Sequence, residues 1–392
     1  MKKIVSLKEV CESDYGVTAS ATEQPTGTHF LRITDIVNFT DYSGVPFVDI
    51  DDEDRRKKLL KQNDIVVART GATVGASHLF RGTEPTVFAS YLVRFRPKTS
   101  DVDPVFVSYV LNSPAWKQFI FANAHSKSAQ PNLSAAAMMD FQFSLPEIRE
   151  QQKIASVLKA LDDKIAANNR AKGIALDLIK TLGGKPTNTV KLSVLCERST
   201  RSIKPETIEA KTVLHYSLPA FDLGAPAQED PATIKSNKFS LERPCVLLSK
   251  LNPHTPRIWS VPVINEDVPM IASSEFVVLR PTTCRQAQLF AATAQPELFH
   301  HLESLTGGTS KSHQRVRPAD ILTSEVPDTR TLSAEESQML ELLTLRFESL
   351  VVENQVLART RDELLPLLMS GRITVGEAED AADVAGTAAS ES

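Results

Sequence analysis

The sequence predicts an α+β protein in which two similar globular units, each of mixed α/β structure, are separated by two long helices that form an antiparallel coiled coil. Three observations predict this fold: a repeated sequence pattern, short strand-like segments in both halves, and a long helical stripe at the end of each half. The 392-residue chain has room for two or three domains, so each half can bury its own core. The predicted arrangement is a pseudo-twofold internal repeat.

Short phrases of the first half return in the second half in the same order, at an offset of about 184 residues. The phrase VSLKEVCE at residues 5–12 returns as VKLSVLCE at residues 190–197. Ala89-Ser90 returns as Ala272-Ser273, and SKSAQ at residues 126–130 returns as SKSHQ at residues 310–314. A drifting offset indicates one duplicated unit whose loops later varied in length.

Segments rich in Val, Ile and Phe alternate with turn residues in the first half and predict strands. These segments are HFLRITDI, DIVVART, FASYLVRFRP and DFQFSLP, at residues 29–36, 64–70, 88–97 and 140–146. Residues 103–124 predict a helix that breaks at Asn112-Ser113-Pro114, because proline interrupts helical hydrogen bonding. The second half repeats this plan with HYSLPAFD, RPCVLLSK and EFVVLRP at residues 215–222, 243–250 and 275–281, followed by a helix over residues 285–305.

Each half closes with a long helix, over residues 150–182 and 334–370, whose apolar residues recur every three or four positions. Either stripe alone would face water, so we expect the two helices to pack against each other. Asn169 and Asn354 interrupt the stripes at equivalent repeat positions. A buried asparagine pair would fix the register of the helices. Both amides could equally lie on the solvated edge of the seam.

These patterns predict five segments along the chain. Residues 1–145 and 186–327 are the two globular units, residues 146–185 are the central spacer helix, and residues 328–374 are the distal spacer helix. Residues 375–392 form an acidic tail with too few apolar residues to fold, and we expect it to be disordered.

The formal net charge of −4 does not exclude a nucleic-acid partner, because the acidic excess lies in residues 328–392 and the globular units are nearly neutral. No apolar run is long enough to cross a membrane, and Lys8 and Glu9 interrupt any signal-peptide core, so we expect a cytoplasmic protein without a membrane partner. The four cysteines have no metal-binding spacing and are predicted to be buried free thiols.

Motifs for catalysis are weak in this sequence. DPVF at residues 103–106 only partly resembles the loop with which adenine methyltransferases hold a flipped base, and no glycine-rich turn for S-adenosylmethionine accompanies it. GGTSKS at residues 307–312 lacks the spacing of a phosphate-binding loop, and no HExxH pair is present. The sequence therefore predicts no catalytic residues and no metal or cofactor site in this chain.

Several motifs resemble the DNA specificity subunits of type I restriction-modification enzymes. They are LPEIREQQKIASVLKALDDKIAANNR at residues 145–170, ARTGATVG at 68–75, HYSLPAFD at 215–222 and ELLPLLMSGRI at 363–373. The resemblance follows the family's order of recognition domain, spacer helix, recognition domain and spacer helix. The second unit departs from it, with LNPHTP at residues 251–256 instead of a TGATVG loop.

The resemblance implies a non-catalytic subunit in which two target-recognition domains read a bipartite, asymmetric sequence of double-stranded DNA. It further implies that the paired helices fix the distance and rotation between the two readers. The implied partners are two DNA adenine methyltransferase subunits, which use S-adenosylmethionine, and an ATP-dependent motor-nuclease subunit, which uses ATP and Mg. This chain itself would carry no cofactor.

Candidate DNA contacts follow from residue type and repeat position. Glycines flank Arg69, Thr70 and Thr73 and let the backbone approach phosphate. The repeated tracts at residues 126–130 and 310–314 combine a phosphate-binding ammonium with an amide able to read adenine. The candidates are Arg69, Thr70, Thr73, Ser126, Lys127, Gln130, Lys250, Ser310, Lys311 and Gln314, with Asn169 and Asn354 as register residues.

Two other classes remain open from the residues alone: a non-catalytic repeat scaffold that binds proteins without DNA, and an enzyme with an unfamiliar site. Binding to random duplex DNA at low salt, with a steep loss as salt rises, separates the DNA reader from both.

Overall fold

The computed structural model of the chain describes residues 3–37, 42–124, 131–306 and 314–388. It divides into two compact units. The first unit comprises Met1–Asp163 and Ala358–Ala385, and the second contains Lys164–Leu357. Each unit therefore holds one globular domain and a part of both long helices.

The strands of the first domain are β1 (Lys3–Ser6), β2 (Cys11–Tyr15), β3 (Ala21–Thr22), β4 (His29–Leu31), β5 (Phe47–Val48), β6 (Ile65–Ala68), β7 (Ser77–Leu79), β8 (Thr86–Phe88), β9 (Leu92–Pro97) and β10 (Gln142–Leu145). Its helices are α1 (Leu7–Val10), α2 (Ile33–Val37), α3 (Asp52–Lys58), α4 (Pro104–Val110), α5 (Pro114–Ala124) and α6 (Ala135–Met139). The first long helix, α7 (Ile148–Gly183), follows.

Two four-stranded sheets and a two-stranded ribbon build the first domain. One sheet is antiparallel in the order β2-β9-β6-β7, and the ribbon pairs β1 with β10. The other sheet has the order β3-β5-β4-β8, in which β4 and β8 run parallel. All four residues of β6 are buried, which explains why this strand is a continuous apolar run rather than an alternating one.

The strands of the second domain are β11 (Thr189–Lys191), β12 (Cys196–Ser199), β13 (Ser202–Ile203), β14 (Val213–Tyr216), β15 (Ala227–Glu229), β16 (Lys238–Leu241), β17 (Cys245–Ser249), β18 (Ile258–Val261), β19 (Met270–Ala272), β20 (Phe276–Pro281) and β21 (Glu325–Pro327). Its helices are α8 (Leu192–Leu195), α9 (Leu218–Asp222), α10 (Gln286–Thr293), α11 (Pro296–Ser304) and α12 (Pro318–Thr323), with 3-10 turns at Pro205–Thr207, Pro231–Thr233 and Thr329–Thr331. The second long helix, α13 (Ala334–Ser370), and α14 (Val375–Ala388) complete the chain's described elements.

The second domain repeats the sheet plan of the first. Its antiparallel sheet has the order β12-β20-β17-β18, its ribbon pairs β11 with β21, and its other sheet contains a parallel pair, β14 with β19. That last sheet differs by carrying β13 and β16 beyond β19. The fold therefore confirms the predicted internal repeat of two mixed α/β domains.

Cys11 and Cys196 occupy equivalent positions, each directly after a four-residue helix and at the start of a strand. Both are buried, as is Cys245, and all four cysteines are free thiols. Burial raises the pKa of Cys11, Cys196 and Cys245 to about 12, so these thiols stay protonated and act as small apolar core groups.

The long helices pack in an antiparallel sense in the second unit. In the second unit, Asn354 contacts Asn169 while Lys185, just beyond α7, pairs with Glu336 near the start of α13. In the first unit, Arg361 of α13 pairs with Asp162 of α7. In the second unit, later residues of α7 therefore lie beside earlier residues of α13.

The apolar stripes predicted from the sequence are buried along much of both helices. Buried members in the first unit are Ile154, Leu158, Leu161, Leu364 and Leu368, and in the second unit Ile179, Leu340, Leu350 and Leu357.

A buried glutamine anchors the beginning of α7. Gln151 is fully buried, and its Nε2 donates to the Pro146 carbonyl at 2.8 Å and to the Asp101 carbonyl at 2.9 Å. Its Oε1 accepts from the Asp103 amide at 2.8 Å. One side chain of the EQQKI segment therefore joins the helix to the loop that precedes α4.

Several sequence predictions of local structure need correction. The segment HYSLPAFD is a strand only through Tyr216, because Ser217 caps a short helix and Pro219 lies in its first turn. The segment FASYLVRFRP begins its long strand only at Leu92. The predicted helix over residues 285–305 is broken before Pro296, as the first domain's helix is broken before Pro114.

The acidic tail also differs from its prediction, because Val375–Ala388 forms a helix instead of a disordered segment. Thr374 and Glu377 begin it: the Thr374 amide donates to the Glu377 carboxylate at 2.7 Å, and the Glu377 amide donates to the Thr374 hydroxyl at 3.3 Å. Alanine-rich sequence propagates the helix, and Ala378 is fully buried. Among the described residues, no helix combines the length and apolar character needed to cross a membrane.

Candidate nucleic-acid interface

A loop flanked by two glycines joins β6 to β7 in the first unit. It carries three of the predicted DNA contacts: Arg69, Thr70 and Thr73. Gly71 and Gly75 have φ angles of +80° and +89°, a region that glycine adopts without strain. A Cβ at Gly75 would lie 2.7 Å from the side chain of Ile120, so the close approach of α5 also requires glycine there.

Arg69 presents a cation that no carboxylate neutralises within the described residues. Its guanidinium lies over the ring of Tyr15, 5.0 Å from the ring centroid, and its Nη2 donates to Asn132 Oδ1 at 3.4 Å. Its Nε is buried and finds no partner in the described part of the chain. Stacking on an aromatic ring holds such a guanidinium in place while leaving hydrogen-bond donors for an anion or a base.

An open groove lies beside this loop. Its lining residues are Ile33, Thr70, Gly71, Thr73, Tyr91, Pro131 and Asn132. Tyr91 is 61% exposed although it is a large aromatic side chain. Hydroxyl groups, an amide and an aromatic ring on one accessible surface are groups that can contact bases and phosphates.

Three backbone hydrogen bonds hold the base of the loop in the first unit. The Arg69 amide donates to the Tyr91 carbonyl at 3.0 Å, and the Leu133 amide donates to the Arg69 carbonyl at 2.9 Å. The Gly71 amide donates to the Pro131 carbonyl at 2.9 Å. The loop is thereby fixed between the turn before β9 and the segment before α6.

The second unit has the same three hydrogen bonds around its β17–β18 loop. The Lys250 amide donates to the Glu275 carbonyl at 3.0 Å, the Val316 amide to the Lys250 carbonyl at 2.9 Å, and the Asn252 amide to the Gln314 carbonyl at 2.8 Å. Asn252 has a φ of +52°, as the glycine of the first loop has a positive φ. The two loops thus share a backbone frame that their sequences do not reveal.

This frame corrects the sequence alignment of the repeats. It places Lys250 opposite Arg69 in the repeat, and Gln314 opposite Pro131 rather than opposite Gln130. Hydrogen bonds of the parallel strand pairs likewise match Ala89 with Ser273, since the Ala89 amide donates to the carbonyl of Leu31 and the Ser273 amide to that of Tyr216. The sequence repeat alone aligns Ala89 with Ala272, one position away.

The predicted contacts of the second unit lie at this loop. Lys250 directly follows β17, and its ammonium makes no ion pair within the described residues. Gln314 is partly engaged already, because its Oε1 accepts from the Thr306 hydroxyl at 3.1 Å. Five other predicted contacts, Ser126, Lys127, Gln130, Ser310 and Lys311, lie outside the described residues.

The structure brings Asn169 and Asn354 together. Asn354 Nδ2 donates to Asn169 Oδ1 at 3.0 Å. Asn169 is exposed, so the amide pair lies at the edge of the helical seam, and the buried amide of this region is Asn168. The role of the pair in fixing register stays a prediction.

The helix pair of the first unit carries an ionic contact against the domain. The Tyr109 hydroxyl donates to Asp162 Oδ2 at 2.6 Å, and Arg361 Nη1 donates to Asp162 Oδ1 at 2.7 Å. Burial raises the pKa of Tyr109 above its ordinary value, and the Asp162 charge adds to this effect. The phenol therefore remains a hydrogen-bond donor that ties α4 to α7.

No cluster of three or more His, Cys, Asp and Glu side chains suited to a metal ion occurs among the described residues. The residues collected at the two loops are hydroxyls, amides, cations, an exposed aromatic ring and one carboxylate, Glu275, which is paired with Arg315. Cations, hydroxyls and amides on one surface are suited to binding a polyanion.

Sequence patterns did not single out Tyr15, Tyr91, Asn132, Glu275 or Arg315, which the fold brings to the two loops. Asn132 and Arg315 closely follow the repeated SKS-x-Q tracts, so their proximity to those tracts was a usable signal. Tyr15 on β2 and Tyr91 in the turn before β9 are distant from the loop in the sequence and could be found only from the fold.

Comparison with known proteins agrees with this class of site. Residues 2–175 match the family model described as type I restriction modification DNA specificity domain. No curated protein matches the chain. The chain is similar in fold to the S subunit of a type I restriction-modification system from M. genitalium, with a TM-score of 0.56 at 13% identity over 94% of this chain and 96% of that one.

Two further solved structures align over almost the whole chain at lower structural similarity. The HsdS subunit from Thermoanaerobacter tengcongensis has a TM-score of 0.37 at 15% identity, covering 95% of this chain and 97% of that one. A chain from a structural study of complex assembly and conformational transition of the type I R-M system has a TM-score of 0.41 at 14% identity, covering 94% of this chain and 97% of that one.

The fold and the partial family match point to the class of DNA-specificity proteins. Residues 2–175, less than half of the chain, are similar to the type I restriction-modification DNA specificity domain, and the whole chain is similar in fold to a solved S subunit.

Proposed function

We propose that this chain reads a bipartite, asymmetric sequence of double-stranded DNA, with one globular domain contacting each half. The observation that carries this proposal is the shared backbone frame of the two loops, which presents different side chains in the two domains. Arg69 and Tyr91 of the first domain are replaced by Lys250 and Glu275 in the second. Two domains that share a loop backbone but present different side chains suit a DNA target whose two halves differ in sequence.

The proposed contacts divide by chemistry. Arg69, Lys250, Lys127 and Lys311 supply cations for phosphate oxygens. The hydroxyls of Thr70, Thr73, Ser126 and Ser310 donate to phosphate or base edges, and the amides of Gln130 and Gln314 can pair with adenine.

Partner subunits would dock on the long helices, and apolar side chains left exposed there support this. In the second unit, Leu342 on α13 is 58% exposed and Ile174 on α7 is 63% exposed, although both are large apolar residues. Where such residues form a contiguous exposed patch, they suit a contact with another protein. We assign it to two DNA adenine methyltransferase subunits.

Catalysis would then belong to the partners. The methyltransferase subunits would bind S-adenosylmethionine, and a motor-nuclease subunit would use ATP and Mg to cut unmodified DNA. A cytoplasmic location follows from this proposal, because chromosomal DNA and the ATP-dependent partner are found there.

Duplex binding tests the DNA-reading role directly. The full-length chain should bind random double-stranded DNA at low salt, and its affinity should fall steeply as salt rises, because counterions are released from the phosphates. Arg69→Ala should weaken binding to all sequences alike and reduce the slope of log affinity against log salt by about one unit. Fluorescence anisotropy over a salt series measures both quantities.

Arg359→Ala is the matched control, because Arg359 is an exposed arginine that already pairs with Glu363 on α13. This variant should leave the salt slope unchanged. A wild-type chain that binds no duplex DNA at any salt, alone or with its methyltransferase partners, would favour a protein-binding scaffold instead.

A further inference from the structure

Asn132 and Arg315 occupy the same position in the two repeats. Asn132 forms an isolated antiparallel bridge with Thr70, and Arg315 forms the same bridge with Leu251. Each residue therefore lies beside the loop that carries the proposed DNA contacts of its own domain. The sequence repeat does not align Asn132 with Arg315, because the repeat offset drifts in this region.

Asn132 offers an amide to the groove of the first domain. The residue is exposed and lines the groove together with Thr70 and Tyr91. Its Oδ1 accepts a long hydrogen bond of 3.4 Å from Arg69, and its Nδ2 has no partner within the described residues. An asparagine amide can both accept from N6 and donate to N7 of adenine, which makes adenine its best partner in the major groove.

Arg315 offers one free edge of a guanidinium in the second domain. Its side chain is 58% exposed, and Glu275 binds it through two hydrogen bonds, Nη2 to Oε1 at 2.9 Å and Nε to Oε2 at 3.3 Å. These bonds occupy the Nε–Nη2 edge. The Nη1–Nη2 edge keeps two parallel donors, which match O6 and N7 of guanine.

Glu275 sits where the first domain has Tyr91, as the equivalent backbone hydrogen bonds from Arg69 and Lys250 establish. Its carboxylate is less exposed than the arginine it binds, with a side-chain exposure of 25%. A carboxylate held in this way fixes the plane of the guanidinium before DNA arrives. Glu275 is therefore a positioning residue for Arg315.

We propose that this repeat position determines base choice in each half-site: Asn132 reads an adenine in one half, and Arg315, oriented by Glu275, reads a guanine in the other. The proposal rests on the proposed function, because it assigns residues within the same DNA-reading surfaces. It differs from the contacts inferred from the sequence, which assigned base reading to the glutamines.

Selection from a random duplex pool tests the assignment. The full-length chain, alone and together with the methyltransferase subunits of its own cell, is used to enrich bound duplexes, which are then sequenced. Asn132→Ala should relax one adenine position in one half-site by about tenfold and leave the other half-site unchanged. Arg315→Lys should relax one guanine position in the opposite half-site by a similar factor, because lysine keeps the charge but loses the bidentate fork.

Two further variants separate base reading from simpler roles. Glu275→Gln should weaken selection for the same guanine as Arg315→Lys, with little change in affinity for random DNA. Arg317→Ala is the control, since Arg317 lies two residues away and pairs with Asp320, and it should leave the selected sequence unchanged.

Retention of the full wild-type motif by both Asn132→Ala and Arg315→Lys overturns the inference while leaving the proposed function intact. A uniform loss of affinity without relaxation at one base identifies phosphate contacts and also overturns it. If the wild-type chain enriches no sequence in either form, the proposed function itself is wrong, and the inference with it.

Discussion

Glu348 lies on α13 against the second domain, where burial raises the pKa of its carboxyl group to about 8. The Lys172 ammonium on α7 and the Ser260 hydroxyl on β18 face it and act in the opposite direction, favouring the charged form. Burial also lowers the pKa of Lys172. Two ionisable groups in one desolvated contact make the stability of this unit sensitive to pH.

We expect Glu348 to destabilise the second unit at alkaline pH. Below its usual pKa of 4.5, Glu348 is protonated in both the folded and unfolded states. As pH rises from 4.5 to about 8, the unfolded state loses this proton first, so the folded state binds more protons and the free energy of unfolding falls. Glu348→Gln should remove that fall.

The measurable difference lies between pH 8 and 9. There Glu348→Gln should raise the free energy of unfolding by at least about 1 kcal/mol, since each unit of pKa shift corresponds to about 1.4 kcal/mol. Near pH 4.5 the variant and the wild type should be alike. Urea unfolding at both pH values tests this, with Glu335→Gln, an exposed glutamate on the same helix, as the control. Equal pH profiles for Glu348→Gln and the wild type would contradict the prediction.

Individual contact residues were only partly predictable from the sequence. The sequence predicts Arg69 and Lys250 as contacts because each follows a strong apolar strand signal, and the structure places both at equivalent loop positions, where their contact with DNA stays a prediction. Tyr15 and Glu275 are not predicted from the sequence, because they contact Arg69 and Arg315, which are far away along the chain. Side-chain pairing of this kind leaves no local pattern.

At the scale of elements, the long helices were predicted most closely. The apolar spacing of three and four extends through residues 150–182 and 334–370, and the helices are Ile148–Gly183 and Ala334–Ser370. Short elements were predicted less well, because capping decides them. Ser217 and Thr374 each begin a helix where the composition indicated a strand or disorder.

Gln151 gives the EQQKI segment a physical role in joining α7 to the first domain. Its amide makes three hydrogen bonds to backbone groups of Asp101, Asp103 and Pro146, and it is fully buried. Gln151→Leu should lower the free energy of unfolding of the first unit by about 3 kcal/mol, because buried backbone groups lose their partners.

Gln152→Leu is the matched control for this prediction, since Gln152 is the adjacent glutamine and is exposed. Its substitution should change the free energy of unfolding by less than about 0.5 kcal/mol. Urea titration of both variants, followed by circular dichroism, measures the difference. Similar small losses for the two variants would show that the hydrogen bonds of Gln151 do not anchor the helix.

At the scale of the whole molecule, the two repeated domains keep the same fold but differ in how much of the sequence pattern they retain. The family model matches residues 2–175, whereas the second domain retains the sheet order and loop frame without the matching loop sequence. Backbone hydrogen bonds tolerate changes of side chain, so the frame persists where sequence similarity is lost. The same tolerance lets the two loops carry different contact groups.

We propose that the long helices set the distance between the two DNA-reading domains. Four residues added to a helix lengthen it by about 6 Å at a rise of 1.5 Å per residue. Because the helices are antiparallel, insertions after Ala166 in α7 and after Leu357 in α13 keep the two stripes paired. We expect the double insertion to preserve both half-site sequences and lengthen the unspecified spacer by one or two base pairs, since about 6 Å is close to two steps of 3.4 Å.

Methylation mapping in cells that contain the partner subunits measures the spacer directly. A four-residue insertion beside Gly224, in a surface turn where Leu223 is 87% exposed, is the control and should leave the spacer unchanged. An unchanged spacer in the double helix insertion would show that the helices do not set the separation of the half-sites. Altered half-site sequences would show instead that the insertions disturb the readers, because base choice depends on loop frames that lie outside the helices.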